Sequence, residues 1–312
     1  QAQGGQVTIN HRLAARRVLT GSVEISWART IASPVLFCSA FQICIPEELD
    51  RLTLPRFRNT LGLNYVDDHT DNALNPARGY LLRSGFAWAT PWLSSSVVFT
   101  RFTTEGAWYR TLRPGWVFAT SLRLGNFFQT VSTDPGRSAT DFLPPEERFY
   151  AGGATTVRGY GRNELGPLVY VTDKVITDSI TGQIRPASEP PTRVPLGGTS
   201  FGVANAEVRF PSPLFRRQMR LAAFIDAGAI RSGNIWEMVG TDWRFTPGVG
   251  LRIATPVGPA RIDAAYNPYN PVAGVLFVAD SARIAPVRTD YAPPAPNFFG
   301  RWRVHVAIGQ AF

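Results

Sequence analysis

The 312-residue chain lacks any run of the roughly 18 to 20 consecutive apolar residues that a membrane-spanning helix needs, although 44% of its residues are hydrophobic. Methionine, cysteine and histidine are scarce, with two, two and three residues, and charged residues make up only 18% of the chain. The missing apolar run excludes a helical membrane protein. Aromatic residues at 12%, with 28 glycines and 25 prolines, indicate a strand-rich fold with many turns. A membrane β-barrel is compatible with this composition, because alternation dilutes its apolar residues.

Motifs of common enzymes are also missing. The three histidines, His11, His69 and His305, lie in different segments, and neither G-x-S-x-G nor H-E-x-x-H occurs. The acidic segment DDHTDNALNP (67–76) lacks the glycine and the closing glutamate of a calcium loop, so an Asx-rich turn is the better interpretation. We therefore expect no catalytic residue, no metal and no cofactor.

The formal net charge of +9 comes largely from arginine. Solvated basic loops would account for it, and so would a basic surface or lumen that faces anionic lipid headgroups or polyanions. Charge alone leaves both interpretations open. Neither a basic helix nor a zinc finger is found, so we expect no nucleic-acid partner.

The two cysteines, Cys38 and Cys44, lie in the segment FCSAFQICIP. A C-x-x-C redox pair or a zinc site would need closer or repeated spacing. A small loop disulfide is the favoured prediction, and two free thiols are the alternative. A disulfide would place this loop in an oxidising compartment. No signal peptide is visible in the first residues.

Apolar and small residues alternate along many segments, as in GYLLRSGFAWAT (79–90) and VHVAIGQAF (304–312). A period of two is typical of strands. A soluble sandwich would expose a richly charged second face, whereas here that face carries glycine, alanine and serine with sparse charges. Such a face suits the inside of a barrel, and the apolar face suits lipid. The sequence thus predicts an all-β protein, a transmembrane antiparallel β-barrel of the outer-membrane type.

Eleven strands are predicted from this alternation. They are 6–16, 19–30, 56–67, 79–90, 95–110, 114–128, 199–211, 219–230, 246–255, 258–267 and 302–312. Short connections at 112–115, 211–218 and 255–259 alternate with long ones at 31–54, 129–198, 229–245 and 267–301. Outer-membrane barrels have short periplasmic turns and long external loops, so the long connections are predicted to lie outside.

The glycine-rich segment GGATTVRGY (152–160) resembles the V-R-G-F/Y signature loop of the BamA/TamA-type outer-membrane assembly superfamily, which includes the two-partner secretion translocators. Further segments follow in the family's order. FIDAG (224–228) resembles its F-x-D-x-G strand, and GVGLRIATPVGPARIDAAY (248–266) resembles the strand pair with its G-P-[LA]-R-x-D motif. The C-terminal AIGQAF, ending in Phe312, is similar to its aromatic-terminated last strand, and DNALNPARG (71–79) to a turn before a middle strand. The resemblance covers most of the chain from about residue 60 onward.

The resemblance implies a role for Arg158 at the centre of the signature loop. In the superfamily this loop folds back into the lumen, and its arginine pairs with inward carboxylates. Alternation along the strands places three carboxylates on inner faces: Asp226, the first candidate, with Glu207 and Asp263 as secondary ones. An arginine suits the task because its planar fork can bond a carboxylate bidentately and stays charged. The alternative is an exposed loop arginine in contact with solvent.

Two strand-motif residues and three loop glycines accompany the arginine and its first candidate partner. Phe224 and Gly228 share the inner strand face with the candidate carboxylate of FIDAG. Gly152, Gly153 and Gly159 flank the arginine, and they allow unusual dihedral angles and close packing.

The last strand carries Gly309, which matches a family glycine at the position where the seam between the first and last strands is thought to loosen. A small residue facing the lumen is the alternative interpretation. The family barrel has sixteen strands and follows POTRA domains, none of which is recognised in residues 1–312. Counting back from the C-terminus, this chain begins near strand six. We therefore expect the C-terminal portion of a longer chain, with a shortened relative as the alternative.

Three functions agree with this resemblance, all of them non-enzymatic. The first is an assembly barrel that inserts or exports proteins at the bacterial outer membrane by offering an edge strand to client polypeptides. The second is a two-partner-type secretion pore gated by the signature loop. The third is a structural barrel subunit bound to other subunits of a membrane complex. Outer-membrane lipids are expected partners in each.

Overall fold

The structure is a computed structural model. It describes residues 2–29, 38, 54–128, 143–177, 182–187, 190–214, 219–233, 235–236, 243–255, 259–280 and 283–309. Within these ranges, no helix has the length and apolar character needed to cross a membrane.

Seventeen β-strands are formed by the described residues. In chain order they are β1 (Ala2–Ala14), β2 (Arg17–Ala28), β3 (Arg56–Asp68), β4 (Gly79–Ala89), β5 (Phe99–Arg113), β6 (Trp116–Phe127), β7 (Leu168–Thr172), β8 (Val175–Thr177), β9 (Ile184–Pro186), β10 (Thr192–Pro195), β11 (Ser200–Pro211), β12 (Met219–Arg231), β13 (Arg244–Ile253), β14 (Ala260–Tyr266), β15 (Gly274–Asp280), β16 (Arg283–Tyr291) and β17 (Trp302–Ile308). Eleven of them pair antiparallel in one sheet, in the order β1-β2-β3-β4-β5-β6-β11-β12-β13-β14-β17. These are the eleven strands predicted from alternation, and the all-β antiparallel fold class is confirmed.

The side chains of this sheet alternate between two different environments, as the period of two requires. Apolar residues on one face are strongly exposed, for example Val7, Ile9 and Ile25 at 69%, 73% and 57%. The opposite face carries small and charged residues, and many of these are buried. A soluble protein would hide the apolar face, so this arrangement is the inverse of a water-facing sandwich.

The two ends of the sheet differ in the length of their connections. We call one the short-turn end, where strands join through 15–16, 69–78, 114–115, 212–218 and 254–259, and the other the long-loop end. Outward aromatic pairs lie at both ends. Trp27 stacks on Phe57 at the long-loop end, with ring centroids 6.0 Å apart, and Trp116 stacks on Phe210 at the short-turn end at 4.9 Å. Such pairs are typical of the aromatic girdles of outer-membrane barrels.

The long connections contain strands that the alternation does not predict. Strands β10, β7, β15 and β16 form a second, four-stranded sheet, in which β7 and β15 pair in parallel although about a hundred residues separate them. Cys38, from the connection between β2 and β3, packs against Val169 and Phe277 of this sheet. Three long connections therefore meet in one apolar cluster at the long-loop end.

Strand β5 begins four residues later than predicted, the largest such delay among the eleven strands of the main sheet. Residues 95–98 precede β5, because Pro91–Leu93 forms a 3-10 turn and Ser94 follows it with a positive φ of 57°. A left-handed residue interrupts an extended strand. The strand consequently runs from Phe99 to Arg113.

The sheet is open along one line, since β1 and β17 are its two edges and, among the described residues, do not pair with each other. The last strand, β17, pairs with β14 over seven residues, from the Tyr266–Trp302 pair to the Ala260–Ile308 pair. Val304, Val306 and Ile308 on its outward face are 67% to 75% exposed. This strand is therefore held on one side only.

Candidate functional site

The segment 144–167, which we call the signature loop, enters the space enclosed by the sheet from the long-loop end. Its own residues Ala151, Val157 and Leu165 form an apolar cluster with Val203 of β11 and Ile230 of β12. Both wall residues lie on the same strand faces as the buried charges. The loop is thus packed against the lumen side of β11 and β12.

Arg158 lies at the inner end of this loop and is fully buried. Its Nε and Nη2 donate to the two carboxylate oxygens of Asp226 at 2.8 and 2.7 Å, the bidentate geometry that a guanidinium favours. The backbone N–H of Arg158 donates to the same carboxylate at 2.9 Å. The first candidate partner from the sequence therefore receives three hydrogen bonds from one loop residue.

The two secondary candidates complete the surroundings of the guanidinium. Nη1 of Arg158 donates to Glu207 at 2.8 Å and lies 3.6 Å from Asp263. We call Asp226, Glu207 and Asp263 the wall carboxylates; each is at most 1% exposed. Alternation brought these three onto one face, and the register of β11, β12, β13 and β14 brings them around one cation.

Three further buried arginines, which we call the wall arginines, hold the same carboxylates. They are Arg209 of β11, Arg252 of β13 and Arg261 of β14. Arg209 donates to Glu207 at 2.9 Å, Arg252 bridges Glu207 and Asp263 at 2.9 and 2.5 Å, and Arg261 donates to Asp263 at 3.1 Å. Their role in the site was not predicted from the sequence. The available signal was parity, because Arg209 and Arg261 each lie two residues from Glu207 or Asp263, and Arg252 lies opposite Arg261 in register.

Electrostatics keep the loop arginine charged despite its burial. Burial alone would lower the pKa of the Arg158 guanidinium. The hydrogen bonds and charge of Asp226, with the charges of Glu207 and Asp263, outweigh this effect and raise the pKa above its ordinary value.

The predicted aromatic and glycine residues lie at the contact between loop and wall. The guanidinium carbon of Arg158 stands 3.3 Å from the centroid of the Phe224 ring, a cation–π contact. A Cβ added to Gly228 would lie 2.6 Å from the Val157 side chain, and one added to Gly159 would lie 2.3 Å from that of Thr246. Both approaches are too close for any residue but glycine.

Gly152 and Gly153 turn the chain at the start of the signature loop, with φ values of 108° and 104°. The N–H of Gly152 donates to the Thr156 hydroxyl at 2.8 Å, which closes the turn. Asn205 of β11 then donates to the Thr156 carbonyl at 2.7 Å and to Asp226 at 2.8 Å. The turn and the buried charges therefore share one wall residue.

A second ionic contact, which was not predicted from the sequence, holds the entry of the signature loop. Glu147 accepts one hydrogen bond from Arg58 of β3 and one from Arg101 of β5, both at 2.8 Å, and Glu146 accepts another from Arg58 at 2.7 Å. Both arginines face the lumen near the long-loop end. The loop therefore spans the lumen from β3 and β5 to β11 and β12. Adjacent glutamates ahead of the signature motif were the signal in the sequence.

The remaining predicted residues lie at the edge of the sheet or in other connections. Gly309 follows β17 with φ of 96°, and open space surrounds the position of an added Cβ. Phe312 lies outside the described residues. Cys38 is disulfide-bonded, and Cys44 lies outside the described residues, so the pairing of the two cysteines stays a prediction.

An eleven-stranded antiparallel sheet with an exposed apolar face, and a loop locked into its lumen by an arginine, defines an outer-membrane barrel with an inserted loop. The family model described as the Omp85 superfamily domain matches residues 9–312, and the chain belongs to the Omp85 superfamily. The superfamily resemblance noted in the sequence is confirmed, and the chain is a bacterial outer-membrane protein.

Individual relatives agree with this assignment. The chain is 27% identical over 235 residues to the outer membrane protein assembly factor BamA of Neisseria meningitidis serogroup B, which covers 67% of the chain and 26% of that protein. The crystal structure of BamA from Haemophilus ducreyi lacking POTRA domains 1–3 matches with a TM-score of 0.61 and 15% identity, over 93% of this chain and 54% of that one. CdiB from Acinetobacter baumannii matches with a TM-score of 0.51 and 11% identity, over 99% and 42%. These two structures show the fold, and the chain spans only part of each relative.

Proposed function

We propose that residues 1–312 form the barrel domain of an outer-membrane factor that assembles or inserts other proteins, and that the signature loop is its latch. The observation that carries the proposal is the complete burial of Arg158 against Asp226 and Glu207. Breaking one partner from a buried ion pair costs about 3–5 kcal/mol. A contact of that strength keeps the loop in the lumen until something of similar free energy displaces it.

The proposed mechanism needs no catalytic chemistry. An unpaired edge strand offers backbone donors and acceptors, to which a client strand adds by main-chain hydrogen bonds. Among the described strands β17 has this property, because only β14 pairs with it. Gly309, directly after the strand, is compatible with bending there. The outward residues of β17 would face lipid, so an added client strand would enter the membrane directly.

Complementation tests the assembly function. Cells depleted of the complete protein would receive either the wild type or Arg158→Ala, and the folded fraction of other outer-membrane barrels would be measured by heat-modifiable migration. Arg193→Ala is the matched control, because Arg193 pairs with Glu164 in a partly exposed contact of 3.2 Å. We expect a fall in folded barrels with Arg158→Ala only. Normal assembly without the complete protein would refute the function.

A secretion pore is the second candidate, favoured by the fold likeness to CdiB over 99% of the chain. In that case the latch would gate the passage of one exported polypeptide. Depletion would then stop the release of that polypeptide and leave the other barrels folded. The same complementation experiment therefore distinguishes the two functions.

A further inference from the structure

The last strand of the sheet touches the latch through a histidine. His305 lies on the lumen face of β17, and its Nε2 is 2.8 Å from the backbone carbonyl oxygen of Arg158. A carbonyl oxygen can only accept, so the ring nitrogen is the donor. The neutral Nε2–H tautomer and the imidazolium both satisfy this bond.

This hydrogen bond joins the signature loop directly to the last strand of the sheet. The side chain of Arg158 is fixed to β11 and β12 through Glu207 and Asp226. Its carbonyl, in contrast, accepts a hydrogen bond from β17, whose one partner strand among the described residues is β14. His305 therefore connects the lumen face of an edge strand to a loop whose arginine is bound to β12 and β11, three and four strands away.

We propose that His305 is a positioning residue that couples the seated signature loop to the last strand. While the loop is in place, the hydrogen bond holds β17 in its present position against β14. When β17 moves, or when a client strand draws it away, the bond breaks and the loop loses one of its anchors. The biological meaning of this coupling rests on the proposed function, because it assumes that clients add at this edge.

Thr246 of β13 offers a reporter for the position of the loop. Its hydroxyl accepts a hydrogen bond from the Gly159 N–H at 3.3 Å, and the residue is fully buried beneath the loop. Thr246→Cys places a thiol there with little change in volume. A maleimide reaches that thiol only when the loop lifts, so the labelling rate of the complete protein in outer-membrane fragments, read by mass spectrometry of that peptide, measures the lifted population.

Two substitutions distinguish the effect of the hydrogen bond on the labelling rate from the effect of side-chain volume. His305→Leu removes the donor, and the loss of one hydrogen bond should raise the labelling rate roughly three- to tenfold. His305→Gln keeps an N–H at the end of the side chain and should label like the wild type. With Arg158→Ala the loop is already released, and His305→Leu should then add no further increase.

Three results would overturn the proposal: equal labelling of the wild type and His305→Leu, fast labelling of His305→Gln, or a full effect of His305→Leu on top of Arg158→Ala. Only protein that migrates as the folded form before heating is scored, so a folding defect does not count as loop release. The labelling needs no client. If depletion leaves both assembly and secretion intact, the proposed function fails, and the labelling rates still decide whether the histidine holds the loop.

Discussion

Replacing Arg158 by lysine keeps the positive charge of the latch and removes its planar fork. The guanidinium makes three charged side-chain hydrogen bonds, two to Asp226 and one to Glu207, at 2.7 to 2.8 Å. A lysine ammonium is a single point and cannot span both carboxylates in this geometry. Two of the three bonds are therefore lost.

The expected magnitude follows from these contacts. Hydrogen bonds to charged groups contribute about 1.5–3 kcal/mol each, so the loss of two lowers the free energy of loop release by about 3–6 kcal/mol. At about 1.4 kcal/mol per factor of ten, the lifted population rises by about 10² to 10⁴. Arg158 is fully buried, so solvent does not screen these contacts appreciably.

Current across a planar bilayer measures this effect, because a lifted loop unblocks the lumen. We expect the current through Arg158→Lys to show frequent open events, whereas the wild type stays mostly closed. Arg193→Lys is the matched control, and it should behave like the wild type because its pair with Glu164 is partly exposed. If Arg158→Lys and the wild type give the same currents, the fork is not what holds the loop. Equal opening of the two lysine variants would also refute the reasoning.

Three other predictions concern the loop and its surroundings. Gly228→Ala should overpack the contact with the loop at a cost of about 1–3 kcal/mol, and so lower the temperature at which the folded form is lost in heat-modifiable migration. Gly106→Ala is the control and should leave that temperature unchanged, because open space surrounds its added Cβ. Glu147→Gln removes the charge that bridges two arginines at the loop entry. We expect the free energy of loop release to fall by about 1 kcal/mol or less, so this variant should show fewer open events in the bilayer current than Arg158→Lys. Non-reducing peptide mapping should recover Cys38 and Cys44 in one linked pair of peptides; alkylation of both without reduction would contradict this.

Alternation along the chain was sufficient to predict the wall of the barrel. Apolar residues recur at every second position because one face meets lipid. Each strand can therefore be recognised from its own residues alone. The same parity put Asp226, Glu207 and Asp263 on inner faces, and the register of neighbouring strands then brought them together. For these three residues, the sequence was as informative as the structure about orientation.

The contacts between distant segments could not be predicted in this way. β7 reads as LVYVT, a short apolar run without alternation, and its partner β15 lies about a hundred residues further on. The ion pairs of Glu147 with Arg58 and Arg101 likewise join three segments that are distant in sequence. These segments meet only because the signature loop folds into the lumen. Periodicity reports the environment of a face, whereas pairing between loops depends on the three-dimensional path.

The charged residues of the sheet beneath the signature loop balance one another when the loop is absent. With the loop seated, Arg158 and the three wall arginines face the three wall carboxylates, which leaves an excess of one positive charge. When Arg158 leaves, three arginines face three carboxylates. Glu207 and Asp263 keep the wall arginines that already bind them.

Among the three wall carboxylates, the electrostatic cost of releasing the loop therefore falls on Asp226. Among the described contacts, Asp226 loses its arginine and keeps the Asn205 amide at 2.8 Å. A carboxylate left without its arginine costs about 3–5 kcal/mol while it stays buried, and less once water reaches it through the opened lumen. A client strand that adds five or so backbone hydrogen bonds to an edge gains a similar amount, at about 1 kcal/mol each. Under the proposed function, one added strand therefore supplies a free energy similar to the cost of removing Arg158 from Asp226.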